Sequence, residues 1–254
     1  MAERGQTVLD IADGGAFGAE TVETHGITLS RRAVGGRSPS SDSRVSQHAG
    51  RVADSPLMSG QGWEALLTRE VRWFFDGSLP ADIKSWFTAG STRGVRKSRS
   101  DVYDLAPARR GIGVKQRDGV RLDAKRKVAE LGVVRLRSGV EGRVDDWEKT
   151  VQSGLTVGPE RLVVSKEIIT LRFEAESPPD RGPAGCEVEL ASISIGSARS
   201  WSLCFETFGD PALRGEALEA GLERLVGEGP LPEGLELRSE RSCGYPEWLT
   251  TRRN

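Results

Sequence analysis

The chain has 254 residues, of which 37% are hydrophobic, and its formal net charge at pH 7 is −1. That length allows one large domain or two small ones, and the near-neutral charge argues against a nucleic-acid binder, for which a strongly basic balance is expected. Three cysteines without close spacing predict neither a disulfide framework nor a zinc site. The first ten residues include Glu3, Arg4 and Asp10, so no signal peptide is expected, and no apolar run approaches the roughly 18 residues of a membrane helix. The expected location is therefore the cytoplasm.

The near-neutral total conceals two segments of opposite charge. Residues 93–143 contain 15 Lys and Arg against 6 Asp and Glu, whereas residues 144–254 contain 12 against 20. Such segments are expected either to face one another across a shared interior or to form two complementary surfaces.

The N-terminal quarter of the chain differs in composition from the rest. Residues 1–62 hold ten Gly, eight Ser, no Trp and a single Phe, which predicts a disordered or weakly structured extension because little apolar surface is present to offset the entropy of ordering. A short strand over residues 21–29 is the alternative left open. A single folded domain is expected over residues 63–254. Because His25 and His48 both lie in the extension, nucleophiles paired with histidine and His-rich metal sites are excluded from the folded part.

The folded part begins with a predicted strand and helix. Val71, Trp73 and Phe75 alternate with more polar positions, which predicts a strand, although Phe74 interrupts the polar face. Ser78 is the expected N-cap of a helix over residues 79–87. Residues 92–100 are basic and Ser-rich and are expected to form a solvated loop, followed by a strand over residues 101–105.

The hairpin Gly113–Val128 carries the clearest pattern in the chain. Asp118-Gly119 is its turn signal. A two-residue turn would pair odd-numbered with even-numbered positions. A type I turn with a bulge at Gly119 instead pairs odd with odd and even with even positions, which separates an apolar face from a basic one. Register follows the hydrophobic pattern, so the bulged turn is predicted. A basic face of this kind is either solvated or faces a polyanion. The basic face consists of Lys115, Arg117, Arg121, Lys125 and Lys127, with Asp123 among them.

The remaining segments predict mainly strands. Strands are expected over residues 133–137, 142–151, 162–173, 186–195 and 201–208, with a loop rich in Pro and Gly at 177–185. A helix is expected from Asp210-Pro211 to about Gly227, followed by a short strand at 235–237. Tyr245 and Trp248 are expected to pack onto the body of the domain.

This order of elements predicts an α+β fold that is mainly antiparallel β. Seven to nine strands and two substantial helices without βαβ alternation favour an antiparallel barrel or a strongly curved sheet. In a closed barrel the charged strand faces would line the interior while helices cover the apolar outside. A sheet with one face in solvent shows the same alternation, and the separation of basic and acidic segments favours the barrel.

Over Arg69 to Phe208 the order of features resembles the CYTH superfamily, the triphosphate tunnel metalloenzymes. The resemblance implies an eight-stranded antiparallel tunnel, in which basic residues hold phosphates and acidic residues hold a divalent metal ion. Glu70 matches the first glutamate of the family's opening Glu-x-Glu-x-Lys motif, whereas Arg72 and Phe74 replace the second glutamate and the lysine. Glu206 looks like the last glutamate of the closing Glu-x-Glu motif, in which Cys204 replaces the first.

The resemblance also implies a set of site residues. Lys115 and Arg117 look like the family's paired basic residues and Lys125 like the lysine of the next strand, while Arg143 and Lys166 are similar to later basic positions. Lys127 of the basic hairpin face and Arg72 complete the expected ligand-binding set, and Glu70 and Glu206 are the implied ligands of Mg²⁺ or Mn²⁺.

The implied metal site is predicted to be degenerate. An arginine beside the metal would repel it, and a thiol is a poor ligand for Mg²⁺. Glu70 and Arg72 can instead form an ion pair with each other. The expected function is therefore binding of a phosphorylated or polyanionic ligand in a basic tunnel, and the alternatives are a metal-dependent triphosphatase and a non-catalytic interaction domain.

Overall fold

A computed structural model describes residues 29–30, 65–89, 94–108, 111–117, 119, 121–153, 157–177, 182–227 and 229–252. The predicted N-terminal extension, apart from Leu29 and Ser30, lies outside these residues, as does Asp118 of the predicted turn. The boundary at residue 62 therefore stays a prediction. No helix among the described residues is long and apolar enough to cross a membrane.

Eight long strands form a closed antiparallel barrel, and a strand of two residues, β1 (Leu29–Ser30), pairs with one of them. The eight are β2 (Leu66–Asp76), β3 (Val95–Asp104), β4 (Ile112–Arg117), β5 (Arg121–Arg135), β6 (Glu141–Ser153), β7 (Arg161–Glu174), β8 (Gly185–Ile195) and β9 (Ala198–Phe208). Their order is β5-β4-β3-β7-β8-β9-β2-β6, and β6 closes the ring by pairing with β5. The predicted fold class, mainly antiparallel β with an eight-stranded barrel, is confirmed.

Four α-helices accompany the barrel in the described residues. They are α1 (Ala81–Ala89), α2 (Leu105–Ala108), α3 (Arg214–Leu222) and α4 (Tyr245–Thr250). A 3₁₀ turn at Pro211–Leu213 leads into α3, and the Asp210 carboxylate accepts the Ala212 N–H at 2.8 Å, as a helix cap does. A π-helical turn at Glu223–Gly227 continues α3. The predicted helix from Asp210 to about Gly227 is confirmed.

The main apolar core lies outside the barrel, between its wall and helices α1 and α3. The odd positions of β2 supply Val71, Trp73 and Phe75, which pack with inward-facing side chains of α3 such as Leu218. Gly221 lets α3 approach the wall closely, because a Cβ there would lie 2.7 Å from the Cys186 sulfur. The odd positions of β2 are thus buried in this outer core, and the even positions of β2 face the barrel interior.

Two segments differ from the sequence-based prediction. Residues 95–100, predicted as part of a solvated loop, belong to β3, which pairs with β7 in an unbroken register from Val95 to Asp104. The prediction was wrong because backbone pairing with a neighbouring strand outweighs the Ser-rich, basic composition. Residues 235–237 are not a strand. Leu235 and Leu237 are buried in the outer core, and the Leu237 carbonyl accepts the Glu141 N–H at 2.7 Å.

The register of the central hairpin agrees with the prediction. Lys115 pairs with Asp123 and Arg117 with Arg121, so odd positions oppose odd positions. Gly119 lies in the turn with φ of +72°, a conformation that glycine adopts without steric cost. The basic face of the hairpin is therefore continuous, and it forms part of the inner wall of the barrel.

Candidate functional site

The interior of the barrel is lined mainly by charged side chains. Directly paired residues of neighbouring strands share a face, so the inner face can be followed from Glu70 and Arg72 of β2 around the ring. Its charged members include Glu70, Arg72, Arg99, Asp101, Lys115, Arg117, Arg121, Asp123, Lys125, Lys127, Asp145, Lys149, Lys166, Arg172, Glu187, Glu189 and Glu206.

One end of the barrel is closed by the C-terminal helix. The Trp248 ring of α4 stacks on Phe74 with centroids 4.5 Å apart, and Tyr245 stacks on Tyr103 at 5.5 Å. These rings belong to a second apolar cluster together with residues such as Ile193. The prediction that Tyr245 and Trp248 pack onto the body is confirmed.

At the other end of the barrel, no helix among the described residues covers the interior as α4 does. The side chains of Arg121 and Arg172 are 51% and 49% exposed, whereas those of Lys166 and Asp101 near the closed end are 1% and 0% exposed. The described interior is therefore a cup, whose rim carries Arg121 and Arg172 and whose floor lies at the closed end.

Three cations converge on one carboxylate near the floor of the cup. The Lys166 ammonium lies 3.0 Å from the Asp101 carboxylate, the Arg99 guanidinium 3.3 Å and the Lys115 ammonium 3.9 Å. Lys166 also donates a hydrogen bond to the Tyr103 hydroxyl at 2.7 Å. The buried Nε of Arg99 is the atom that lies 3.3 Å from Asp101, and within the described ranges it makes no contact with hydrogen-bond geometry. We call Arg99, Lys115 and Lys166 the basic cluster.

The pKa values in this region follow from burial and mutual repulsion. Burial lowers the pKa of Lys166 to about 8, against the opposing attraction of Asp101. Burial and then the charge of Lys166 hold the pKa of Lys115 well below its usual range. The Asp101 pKa is lowered even though burial acts in the other direction, because Lys166, Lys115 and Arg99 surround it. The lowered pKa values of both lysines show that burial and mutual repulsion oppose their charged forms, a penalty that a bound anion would relieve.

A second group of charges lies where β2, β5, β6 and β9 meet. Glu70 and Glu206 are directly paired neighbours on β2 and β9, and the Lys125 ammonium contacts both carboxylates, with a separation of 2.8 Å from Glu206. The Lys149 ammonium lies 2.7 Å from Glu206. Arg72 lies 3.1 Å from Glu70. The possibility that Glu70 and Arg72 form an ion pair is therefore confirmed.

These residues do not fit a divalent metal ion. The oxygens of Glu70 and Glu206 are occupied by the ammonium of Lys125, and the guanidinium of Arg72 stands where the family pattern has a further carboxylate. In the described ranges, no group of three or more His, Cys, Asp or Glu side chains is arranged to hold a metal. Mg²⁺ requires several converging oxygen ligands, and the positive side chains beside these two carboxylates oppose its binding.

The remaining predicted site residues form their ion pairs with carboxylates other than Asp101. Lys127 contacts Asp145 at 3.1 Å, and burial raises the pKa of Asp145 to about 6 although Lys127 opposes the shift. Arg117 contacts Asp123 at 2.7 Å. Arg143 is held by the C-terminal segment, through Ser242 and through Glu247 at 2.8 Å. Of the predicted set, Lys115 and Lys166 thus meet at the basic cluster, and Lys125 and Arg72 meet at the two glutamates.

Sequence reasoning missed Arg99, Asp101 and Glu189 as site residues. Glu189 contacts Arg72 at 3.1 Å, and Arg72 and then Lys166 lower its pKa to about 2 although burial opposes the shift. The odd positions Arg99, Asp101 and Tyr103 show the alternation of a strand with one polar face, which was the available signal. The Ser-rich composition of the segment concealed that signal.

Comparison of the chain with family models gave no match, and comparison with curated proteins gave none either. Among solved structures, the chain is similar to the PH1819 protein from Pyrococcus horikoshii OT3 at 14% sequence identity. The similarity covers 72% of this chain and 99% of that one, with a TM-score of 0.33. At this TM-score the similarity supports neither a family assignment nor a function.

Proposed function

We propose that the barrel binds a phosphorylated or polyanionic ligand at the basic cluster. The observation that carries the proposal is the convergence of Arg99, Lys115 and Lys166 on the single carboxylate of Asp101. Burying like charges close together is unfavourable unless an opposite charge compensates them. A phosphate group supplies that charge, and it accepts charge-assisted hydrogen bonds from guanidinium and ammonium groups.

The shape of the interior supports the same proposal. A phosphate that enters at the rim passes Arg117 and Arg121, whose positive charges favour its approach. At the closed end it meets the basic cluster above the aromatic rings of α4. Because the closed barrel and its basic inner face accord with the CYTH-like order of the sequence, we further propose that the chain is a divergent relative of that superfamily. A cytoplasmic location stays a prediction.

A second candidate function is a non-catalytic interaction domain whose interior is neutralised by its own side chains. The observation in its favour is that Lys125, Lys127 and Arg117 each contact a carboxylate of the barrel. A metal-dependent triphosphatase has less support, because the two implied metal ligands are bridged by Lys125.

Melting in the presence of tripolyphosphate tests the proposal. A ligand that binds only the native state stabilises it by about 2.7 kcal/mol at a hundred times its Kd, so the melting temperature should rise. The double variant Arg99→Gln with Lys115→Gln should lose that rise, because it removes two cations of the basic cluster while keeping polar side chains.

The matched control is Lys84→Gln with Arg126→Gln, which removes the same two charges from exposed positions on α1 and on the outer face of β5. This control variant should keep the rise in melting temperature with tripolyphosphate. A melting curve that is unchanged at millimolar tripolyphosphate would contradict the proposal and favour the interaction domain.

A further inference from the structure

An aromatic ring at the rim of the cup lies outside both the outer core and the apolar cluster at the closed end. Phe208 ends β9, two residues beyond Glu206 on the inner face, and it belongs to neither the outer core nor the cluster at the closed end. Its ring lies directly on the neighbouring strand at Gly185, where a Cβ would come within 2.6 Å of the ring. The missing side chain at Gly185 thus lets the Phe208 ring lie against the wall.

A guanidinium covers this ring from the side of the cup. The central carbon of the Arg172 guanidinium lies 3.6 Å from the centroid of the Phe208 ring. Arg172 is 49% exposed, and the carboxylate that it contacts, Glu187 at 3.4 Å, is itself 47% exposed. A guanidinium plane that stacks on a ring with one face can stack on a second planar group with the other, as arginine does with nucleic-acid bases.

We propose that Arg172 and Phe208 form a stacking subsite for the planar organic group of a phosphate ester. The inference rests on the proposed function, since the phosphates of the same ligand extend from the rim toward the basic cluster. Arg172 and Lys166 lie six residues apart on β7, which corresponds to roughly 20 Å of extended strand. A single phosphate is too short to contact both Arg172 and Lys166, even though both side chains are long. An oligophosphate ester of a planar group has the required length and composition.

The experiment compares two triphosphate esters by calorimetry. ATP and methyl triphosphate carry the same triphosphate chain, but only ATP has a planar ring. Stacking on a protein side chain strengthens binding by an amount that corresponds to at least about fivefold in affinity. We therefore expect the wild-type protein to bind ATP at least about fivefold more tightly than methyl triphosphate.

Two variants and one control locate the subsite. Phe208→Leu keeps an apolar side chain at the rim but removes the ring, and Arg172→Lys keeps the charge but removes the plane. Both should reduce the preference for ATP to near unity with little effect on methyl triphosphate. Arg126→Lys makes the same change on the outer face of β5 and should keep the preference.

The outcomes separate this inference from the proposed function. If methyl triphosphate and ATP bind equally well to the wild type, the subsite is overturned while the proposed function stands. A preference for ATP that persists in Phe208→Leu and Arg172→Lys also overturns it. If neither ester nor tripolyphosphate binds, the proposed function fails and the subsite fails with it.

Discussion

At the scale of single residues, the most informative feature is the convergence of three basic side chains on Asp101. Its carboxylate is fully buried and is shared by Lys166, Arg99 and Lys115. Lys125 is placed differently, because it lies between two glutamates that raise its pKa although burial opposes the shift. An added anion would therefore gain more at the basic cluster than beside Lys125, whose charge is already compensated.

The pH dependence of ligand binding should report on Lys166. Its pKa of about 8 means that it is charged below that pH and loses its charge as the pH rises through it. Affinity for methyl triphosphate should therefore be greatest near pH 7.5 and fall about tenfold by about pH 9.5, the size expected for one charge-assisted hydrogen bond. Calorimetric titrations at the two pH values measure this.

Lys166→Arg is the control for the pH profile, because its guanidinium stays charged throughout the range. The variant should bind with an affinity that changes less with pH than that of the wild type, and Lys115, whose pKa is also lowered, accounts for the change that remains. An equally steep fall in the variant would show that another group controls the titration.

The two glutamates lead to a prediction about catalysis. Because Lys125 contacts both Glu70 and Glu206 and Arg72 contacts Glu70, phosphate release from tripolyphosphate, ATP and thiamine triphosphate should stay at background with Mg²⁺ or Mn²⁺. A colorimetric phosphate assay with each metal measures this. Rapid metal-dependent release that disappears in Glu206→Ala would contradict the expectation and would assign the glutamates to a metal site.

The sequence predicted individual cations better than it predicted their partners. Alternation along one hairpin was sufficient to place Lys115 and Lys125 on a common face. Their partners, Asp101 and Glu206, lie on other strands, and the pairing of those strands depends on how the barrel closes. A single sequence contains no signal for that closure, which is why the pairing of Asp101 with the basic cluster was not predicted.

At the scale of secondary-structure elements, strands with a clear two-residue period were predictable. The register of β4 and β5 followed from the separation of apolar and basic positions. The first half of β3 was not predictable in this way, because its outward positions include Ser98 and Ser100. The Ser100 and Ser165 hydroxyls lie 2.9 Å apart at the exposed surface. A strand with polar residues on both faces has the composition of a loop, so composition alone predicts a loop there.

Helix α4 should contribute to stability as the closure of the barrel. Trp248 is 3% exposed and stacks on Phe74, so Trp248→Ala removes a buried ring from the closed end. The loss of a buried aromatic side chain typically costs about 3–5 kcal/mol in the free energy of unfolding. Urea unfolding followed by circular dichroism measures the difference.

Trp86→Ala is the matched control, because Trp86 lies on α1 and is only partly buried against the outer core. It should cost less than Trp248→Ala. If Trp248→Ala leaves the free energy of unfolding unchanged, α4 covers the barrel end without stabilising it.

At the scale of the whole molecule, the two oppositely charged segments of the sequence form facing walls. The basic segment supplies β3, β4 and all of β5, and the acidic segment supplies β7, β8, β9 and most of β6. Lys125 of β5 contacts Glu206 of β9, three strands away around the ring, whereas Lys127 contacts Asp145 on the neighbouring strand β6. The expectation that the segments face one another is confirmed, and it explains how a nearly neutral chain encloses a strongly charged space.

Deletion of residues 1–62 should leave the barrel intact. The ring closes through the pairing of β5 with β6, which runs from Arg121 to Arg135 and involves no residue before position 65. Leu29 and Ser30 contribute only two register positions, opposite Val134 and Val133 of β5. Thermal unfolding of the truncated protein should therefore show the same cooperativity as that of the full chain, with a melting temperature within a few degrees, since the main core residues all lie beyond the deletion. A broad transition or aggregation of the truncated protein would show that the segment stabilises the edge of β5 beyond the end of β4, and would move the domain boundary into the first 62 residues.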